Sequence, residues 1–191
     1  TVSSSLTGNI TGLSGINKLN AAGDFVNGVA NLSSLGIVYS GLAGSVNFTF
    51  TPTSGSASSG GPVTINPGAL NKLIVTGSAT QIAGTAQTIT LTAKDSGGNT
   101  ITSYTGTKSL TFSGATASTL PVTNPTVGST AFGSATSVVF TNGVATASMN
   151  LYRVENAVIA VSDGTISSTG TDRLAVTVNP AVFNKLQVTL A

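Results

Sequence analysis

The sequence predicts an all-β protein built as a β-sandwich, on three observations. Apolar side chains alternate with Thr and Ser, Gly-bearing turns separate the alternating runs, and one segment repeats itself along the chain. Taken in order, Ile89, Leu91 and Ala93 alternate with Thr88, Thr90 and Thr92. That is the two-residue period of a strand with one face buried. Leu110 and Phe112 continue the pattern, then Ala147, Met149 and Leu151, then Leu174, Val176 and Val178. Thr on the outer face suits a pleated surface, because β-branched side chains pack well there. Asn27-Gly28, Asn142-Gly143 and Asp163-Gly164 fall between such runs, where a tight hairpin needs positive φ. No 12-residue window carries a 3.6-residue apolar stripe, with 13–22 the one ambiguous stretch. Many short strands with regular turns predict a sandwich.

The repeat sets the domain organisation. Asn66-Pro67-Gly68-Ala69-Leu70-Asn71-Lys72-Leu73-Ile74-Val75-Thr76 recurs from position 179, a spacing of 113 residues. The second copy reads Asn179-Pro180-Ala181-Val182-Phe183-Asn184-Lys185-Leu186-Gln187-Val188-Thr189. Val63-Thr64-Ile65 precedes the first copy and Val176-Thr177-Val178 the second. Phe25-Val26-Asn27-Gly28-Val29-Ala30 parallels Phe140-Thr141-Asn142-Gly143-Val144-Ala145 at a spacing of 115. A two-residue difference in spacing is what an insertion in a surface loop produces. The expected division is therefore 1–65 as a partial repeat (least defined over 1–19), 66–178 as one complete repeat, and 179–191 as the first strand of another.

The run from Ala86 to Gly106, AQTITLTAKDSGGNTITSYTG, is followed by Leu110-Thr111-Phe112-Ser113 and later by Val139-Phe140-Thr141-Asn142-Gly143-Val144-Ala145. These motifs resemble the bacterial immunoglobulin-like repeats of secreted and cell-surface proteins. The likeness covers 66–178 well and 20–65 in part. It implies a Greek-key immunoglobulin-like sandwich of about seven strands, used as a spacer or building block and carrying no catalysis. It also implies that 86–106 forms a strand pair about a central turn.

Composition narrows the chemistry. Only 6% of residues are charged, seven Lys and Arg against five Asp and Glu, and there is no His, Cys or Trp. Imidazole and thiolate chemistry, disulfides and thiolate metal sites are excluded. At 40% hydrophobic residues and a mean hydropathy of +0.35 the chain can bury a core. The isoelectric point of 9.2 reflects a net charge of only +2. Scattered cations do not make the dense footprint that displaces counterions, so no nucleic-acid partner is expected. No run approaches the ~20 apolar residues of a membrane-spanning helix. A chain starting at Thr1 is expected to be processed or part of something longer.

No catalytic residues, cofactor or metal are expected. The lysines, Lys18, Lys72, Lys94, Lys108 and Lys185, never show Ser-x-x-Lys spacing. Tyr104 and Lys108 have the Tyr-x-x-x-Lys spacing of short-chain dehydrogenases, which works only on a helix, and Thr105-Gly106-Thr107 is a poor helical filler. Asp95, Asp163 and Asp172 read as turn and strand-end residues rather than a hydrolytic pair. The Asp95–Asn99 loop offers one carboxylate, too few for calcium. Ser54–Gly61 reads as a flexible connection or hairpin tip. Asn9, Asn31 and Asn47 begin Asn-x-Ser/Thr sequons, candidates for glycosylation that would cover a surface poor in charge.

Residues 179–191 hold the sharper expectation. Phe183, Leu186, Val188 and Leu190 would form an assembly strand that completes a sandwich in another copy, a head-to-tail homopolymer. The other account makes 179–191 part of a longer tandem array, whose partners are neighbouring repeats. Both describe an extracellular, cell-surface structural protein: a filament, pilus-like fibre or adhesin stalk, with surface glycans among its contacts. The alternative is a non-catalytic accessory or carbohydrate-binding module of a secreted enzyme, which three dispersed tyrosines, Tyr39, Tyr104 and Tyr152, support poorly.

Overall fold

The computed structural model describes residues 1–13 and 17–183 and divides into two compact units. The first comprises Thr1–Gly68 with Gly97–Asn99; the second comprises Ala69–Ser96 and the chain from Thr100 onward. No α-helix occurs among the described residues.

The second unit is an immunoglobulin-like β-sandwich. Numbering all strands along the chain, it contains β6 (Lys72–Thr76), β7 (Thr80–Ile82), β8 (Gln87–Lys94), β9 (Gly106–Ser113), β10 (Thr126–Val127), β11 (Thr130–Ala131), β12 (Ala135–Phe140), β13 (Val144–Asn150), β14 (Asn156–Ser162) and β15 (Leu174–Asn179). One five-stranded sheet has the order β11-β10-β13-β8-β6 and the other β12-β9-β14-β15-β7. Most successive strands cross between the sheets, while β10 and β11, and β14 and β15, stay within one. Ile89, Leu91 and Ala93 of β8 face Leu110 and Phe112 of β9, Ile159 and Val161 of β14, and Val176 and Val178 of β15 across one apolar core. Burying each large aliphatic side chain contributes roughly 1.5–3 kcal/mol, so the two-residue alternation itself fixes which face turns inward. β7 pairs with β15 in parallel, Thr80 opposite Thr177 and Ile82 opposite Asn179; every other strand pairing is antiparallel.

Two turns differ from the simple hairpins that the sequence predicts. Asn142 and Gly143 take φ of 51° and 81°, and Thr141 and Val144 exchange both backbone hydrogen bonds. The strands they join pair for that single bridge only and then diverge into opposite sheets. At Asp163 the loop is longer. The Asp163 Oδ1 accepts the N–H of Thr165 and Ile166, and Ser162 bridges to Ser167 before a 3₁₀ turn at Gly170–Asp172 leads into β15. The segment after Asp95 forms no second strand of a pair. Only Lys94 bridges to Thr100, and Ile101 turns inward, 7% exposed, with its N–H on the Ala93 carbonyl.

The first unit holds β1 (Val2–Ser4), β2 (Gly8–Thr11), β3 (Val38–Gly41), β4 (Gly44–Phe50) and β5 (Ser58–Ile65). β1, β4 and β5 form an antiparallel sheet in that order, and β2 pairs with β3. Ser58 to Gly61, expected as a connection, are instead part of β5: Ser59 lies opposite Thr49, their hydroxyls 3.0 Å apart. The register shifts between Val46 and Phe48, where Gly61 takes φ of 133°. A Cβ there would stand 2.7 Å from Asn47 Oδ1, so the bulge requires glycine.

Candidate functional site

The polar side chains of the second unit serve its own loops. Asp163 caps its turn, and the Glu155 carboxylate accepts the N–H and hydroxyl of Thr116 at 2.8 and 2.6 Å. Asp95 is buried at the end of β8. Gln81, also buried, donates to the Thr85 and Met149 carbonyls and accepts from Gln87, which in turn accepts the Ser78 N–H. Such a network satisfies polar groups inside the sandwich. Among the described residues no three His, Cys, Asp or Glu gather where they could hold a metal.

Tyr104 and Lys108 do meet, though not on a helix. Lys108 lies on β9, and its Nζ stands 4.6 Å from the centre of the Tyr104 ring. The Tyr104 ring packs edge-on against Phe140, centroids 4.9 Å apart, and its hydroxyl faces Asp163 Oδ2 at 3.5 Å. Burial, then the negative charge of Asp163 and the hydrogen bond to it, raise the Tyr104 pKa above its ordinary 10.0. A phenol held protonated beside a carboxylate is a packing element with a polar edge, opposite to the depressed pKa an acid–base tyrosine needs.

Asn9, Asn31 and Asn47 are all exposed on the first unit. The Asn31 side chain is engaged, its Oδ1 accepting the N–H of Ser33 and Ser34. Of the expected assembly strand, Phe183 is 81% exposed; Leu186, Val188 and Leu190 lie outside the described residues. The tyrosines do not gather into a platform: Tyr39 sets its edge against Phe48 at 6.0 Å and donates its hydroxyl to the Thr7 carbonyl, while Tyr104 is tied to Phe140.

The first unit holds a cleft whose lining the sequence did not identify. A cleft of about 1050 Å³ opens among Val2, Phe25, Val29, Ala30, Leu32 and Phe50, with Lys18 and Thr51 at its margin. Two of its lining residues, Phe25 and Ala30, repeat buried positions of the second unit, Phe140 and Ala145. Within the first unit β1 lies against β4, with Val2 opposite Phe50. The turn at Asn27-Gly28 has φ of 50° and 79° and the same pair of backbone hydrogen bonds, between Val26 and Val29, as its copy at Asn142-Gly143. Yet Phe140 is 2% exposed and Phe25 is 55% exposed. In the second unit β8 lies beside the segment after the turn, Leu91 opposite Ala145 and Ile89 opposite Ala147. In the first unit residues 30–35 pair with no strand among those described. The signal was present in the repeat, which sets the aromatic Phe25 at the position of Phe140.

No protein-family model and no curated protein matches the sequence significantly. Solved structures give partial matches, each with a TM-score below 0.5. The chain is similar to InvD of Yersinia pseudotuberculosis at 22% identity and a TM-score of 0.46, covering 100% of this chain and 49% of that one. It is similar to domains 4–9 of the surface layer protein SbsC at 19% identity and a TM-score of 0.37, covering 73% and 18%. A glycosyl hydrolase family 2 member from Bacteroides cellulosilyticus gives 13% identity and a TM-score of 0.43, covering 80% and 22%. The chain thus spans about half of the first of these proteins and about a fifth of the other two.

Proposed function

We propose that this chain is a building block of an extracellular structural assembly, a cell-surface filament, pilus-like fibre or adhesin stalk, whose units are joined by strand addition. The observation that carries this reading is the contrast between the two units. One closes on an apolar core with Asp163 spent on its own turn and Glu155 on the loop at Thr116; the other leaves Phe25 open where its copy Phe140 is buried. A scaffold of strand ladders and Ser/Thr faces, with an apolar surface awaiting a neighbour, serves cohesion rather than turnover. Asn9, Asn31 and Asn47, exposed on the first unit, are the positions at which sugar would replace charge as the solvating layer. The test is immunogold labelling of intact, unpermeabilised source cells. Gold along surface fibres or stalks is the expected result, and label confined to the cell interior overturns the proposal.

A further inference from the structure

We propose that the outer edge of β12 is a self-recognition edge, along which two copies of this chain join their sandwiches into one continuous sheet. The inference goes beyond the reading above and stands without it. β12 closes one side of its sheet and among the described strands pairs only with β9, from Ala135–Thr111 to Phe140–Gly106. Where its other backbone groups point follows from the turn beyond it. Thr141 aims its N–H and carbonyl at Val144, on the side away from β9. Such groups alternate sides along a strand, so those of Val139, Ser137 and Ala135 emerge on the same edge as those of Thr141. No strand among the described residues pairs with them there.

The other edges of this sandwich are blunted in the ways that keep sheets from pairing with strangers. β11 and β7 have two and three residues, and β6 begins with Lys72. β12 has six, ATSVVF, with no charge and no proline. Its exposed face is equally bare. Ala135, Ser137 and Val139 lie opposite Thr111, Ser109 and Thr107 of β9, all exposed and none charged. Beside the edge a groove of about 260 Å³ is lined by Val127, Val138, Val139 and Ala147. Edge and groove together supply what strand addition uses, a ladder for affinity and a recess for alternate side chains.

A second copy of β12 is the occupant these residues fit. A two-fold axis at Ser137 sets Ser137 against its own copy and Val139 against Ala135. Outward-pointing groups then meet only one another, in hydrogen-bonded pairs. The same register sets Val138 opposite Thr136, so core face continues into core face and exposed face into exposed face. A neutral edge meets its copy with no like charges to repel, and it offers a charged strand no counter-charge. Because a two-fold contact closes on itself, it joins two chains side by side and does not lengthen a fibre.

The test uses single cysteines in the full chain, which has none of its own. Across the paired edge Ser137→Cys meets its own copy at the Cα separation of a hydrogen-bonded pair, about 5.5 Å, which a disulfide spans. Oxidised with diamide, this variant should give a linked dimer on a non-reducing gel, while Thr76→Cys, exposed on β6, should stay monomeric. A further variant, Ser137→Pro, removes an N–H that β9 does not use. In light scattering after size separation the unaltered chain should shift to dimers as concentration rises. Ser137→Pro should lose that shift and keep the unfolding midpoint of the second unit; where the midpoint falls, the cross-link decides alone. Equal cross-linking at the two cysteine positions, or dimers that survive in folded Ser137→Pro, would overturn the proposal. So would an unaltered chain that stays monomeric, the result expected if the edge takes a strand from a different protein. Fibres on the cell surface without the Ser137→Cys cross-link would remove this contact and leave the structural role standing, so the two failures are told apart.

Discussion

Tyr104 shows how one side chain can be chemically conspicuous and structurally employed. Its ring bridges the core residue Phe140 and the cation of Lys108, and its hydroxyl reaches Asp163. Because burial and Asp163 raise its pKa, the folded second unit binds the phenolic proton more tightly than the unfolded chain does. That stabilisation is fully present below the ordinary value of 10.0 and is lost as pH rises through the raised folded value. In urea unfolding followed at a series of alkaline pH values, Tyr104→Phe should show a shallower loss of stability above pH 10 than the unaltered chain. Equal slopes for the two proteins would sink this account. Near neutral pH the substitution should cost only about 0.5–1.5 kcal/mol, the net worth of one hydrogen bond.

Among the elements, the two Asn-Gly turns form an internal control. They share sequence, positive φ and hydrogen bonding, but their surroundings differ. Gly143 is buried: its N–H donates to the Tyr104 carbonyl, its own carbonyl accepts from Ala93, and a Cβ would meet the Ile101 carbonyl oxygen at 2.5 Å. Around Gly28 an added Cβ meets nothing within 4 Å. Gly28→Ala should thus cost only the left-handed backbone penalty, about 1–2 kcal/mol, whereas Gly143→Ala should cost more and lower the unfolding midpoint of the second unit further. Matching midpoints would show that the contact at Ile101 is easily relieved. The same elements mark how far sequence alone carries. β8, β9, β13 and β15 were legible because each puts alternate residues into a core, and the turn chemistry was legible because only certain residues adopt positive φ. The Ser-Ser-Gly-Gly start of β5 was not, since its order comes from pairing with β4 and local propensity opposes it. Nor were the parallel pairing of β7 or the burial of Gln81, both consequences of which strand lies next door. The cleft was half legible: the repeat paired Phe25 with Phe140, but only the fold shows Phe140 buried and Phe25 open.

For the whole molecule, stability is concentrated in one unit. The connected apolar core runs from Leu73 to Val178, while among the described residues of the first unit the buried hydrophobics are Val2, Ile10 and Val46. Fewer buried contacts mean that less free energy opposes local opening. Hydrogen exchange read by mass spectrometry should therefore find amides of β1 to β5 exchanging well before those of β8, β9 and β14, and uniform protection across the two sets would contradict this. The parallel pairing of β7 with β15 adds a consequence for a chain under load. A strand near the start of the second unit and its last strand among the described residues lie side by side and point the same way, bonded from Thr80–Thr177 to Ile82–Asn179. Tension pulling this unit by its two ends drags those strands past each other. The bonds between them take the force as a group, in shear, where an end-on hairpin would peel one rung at a time.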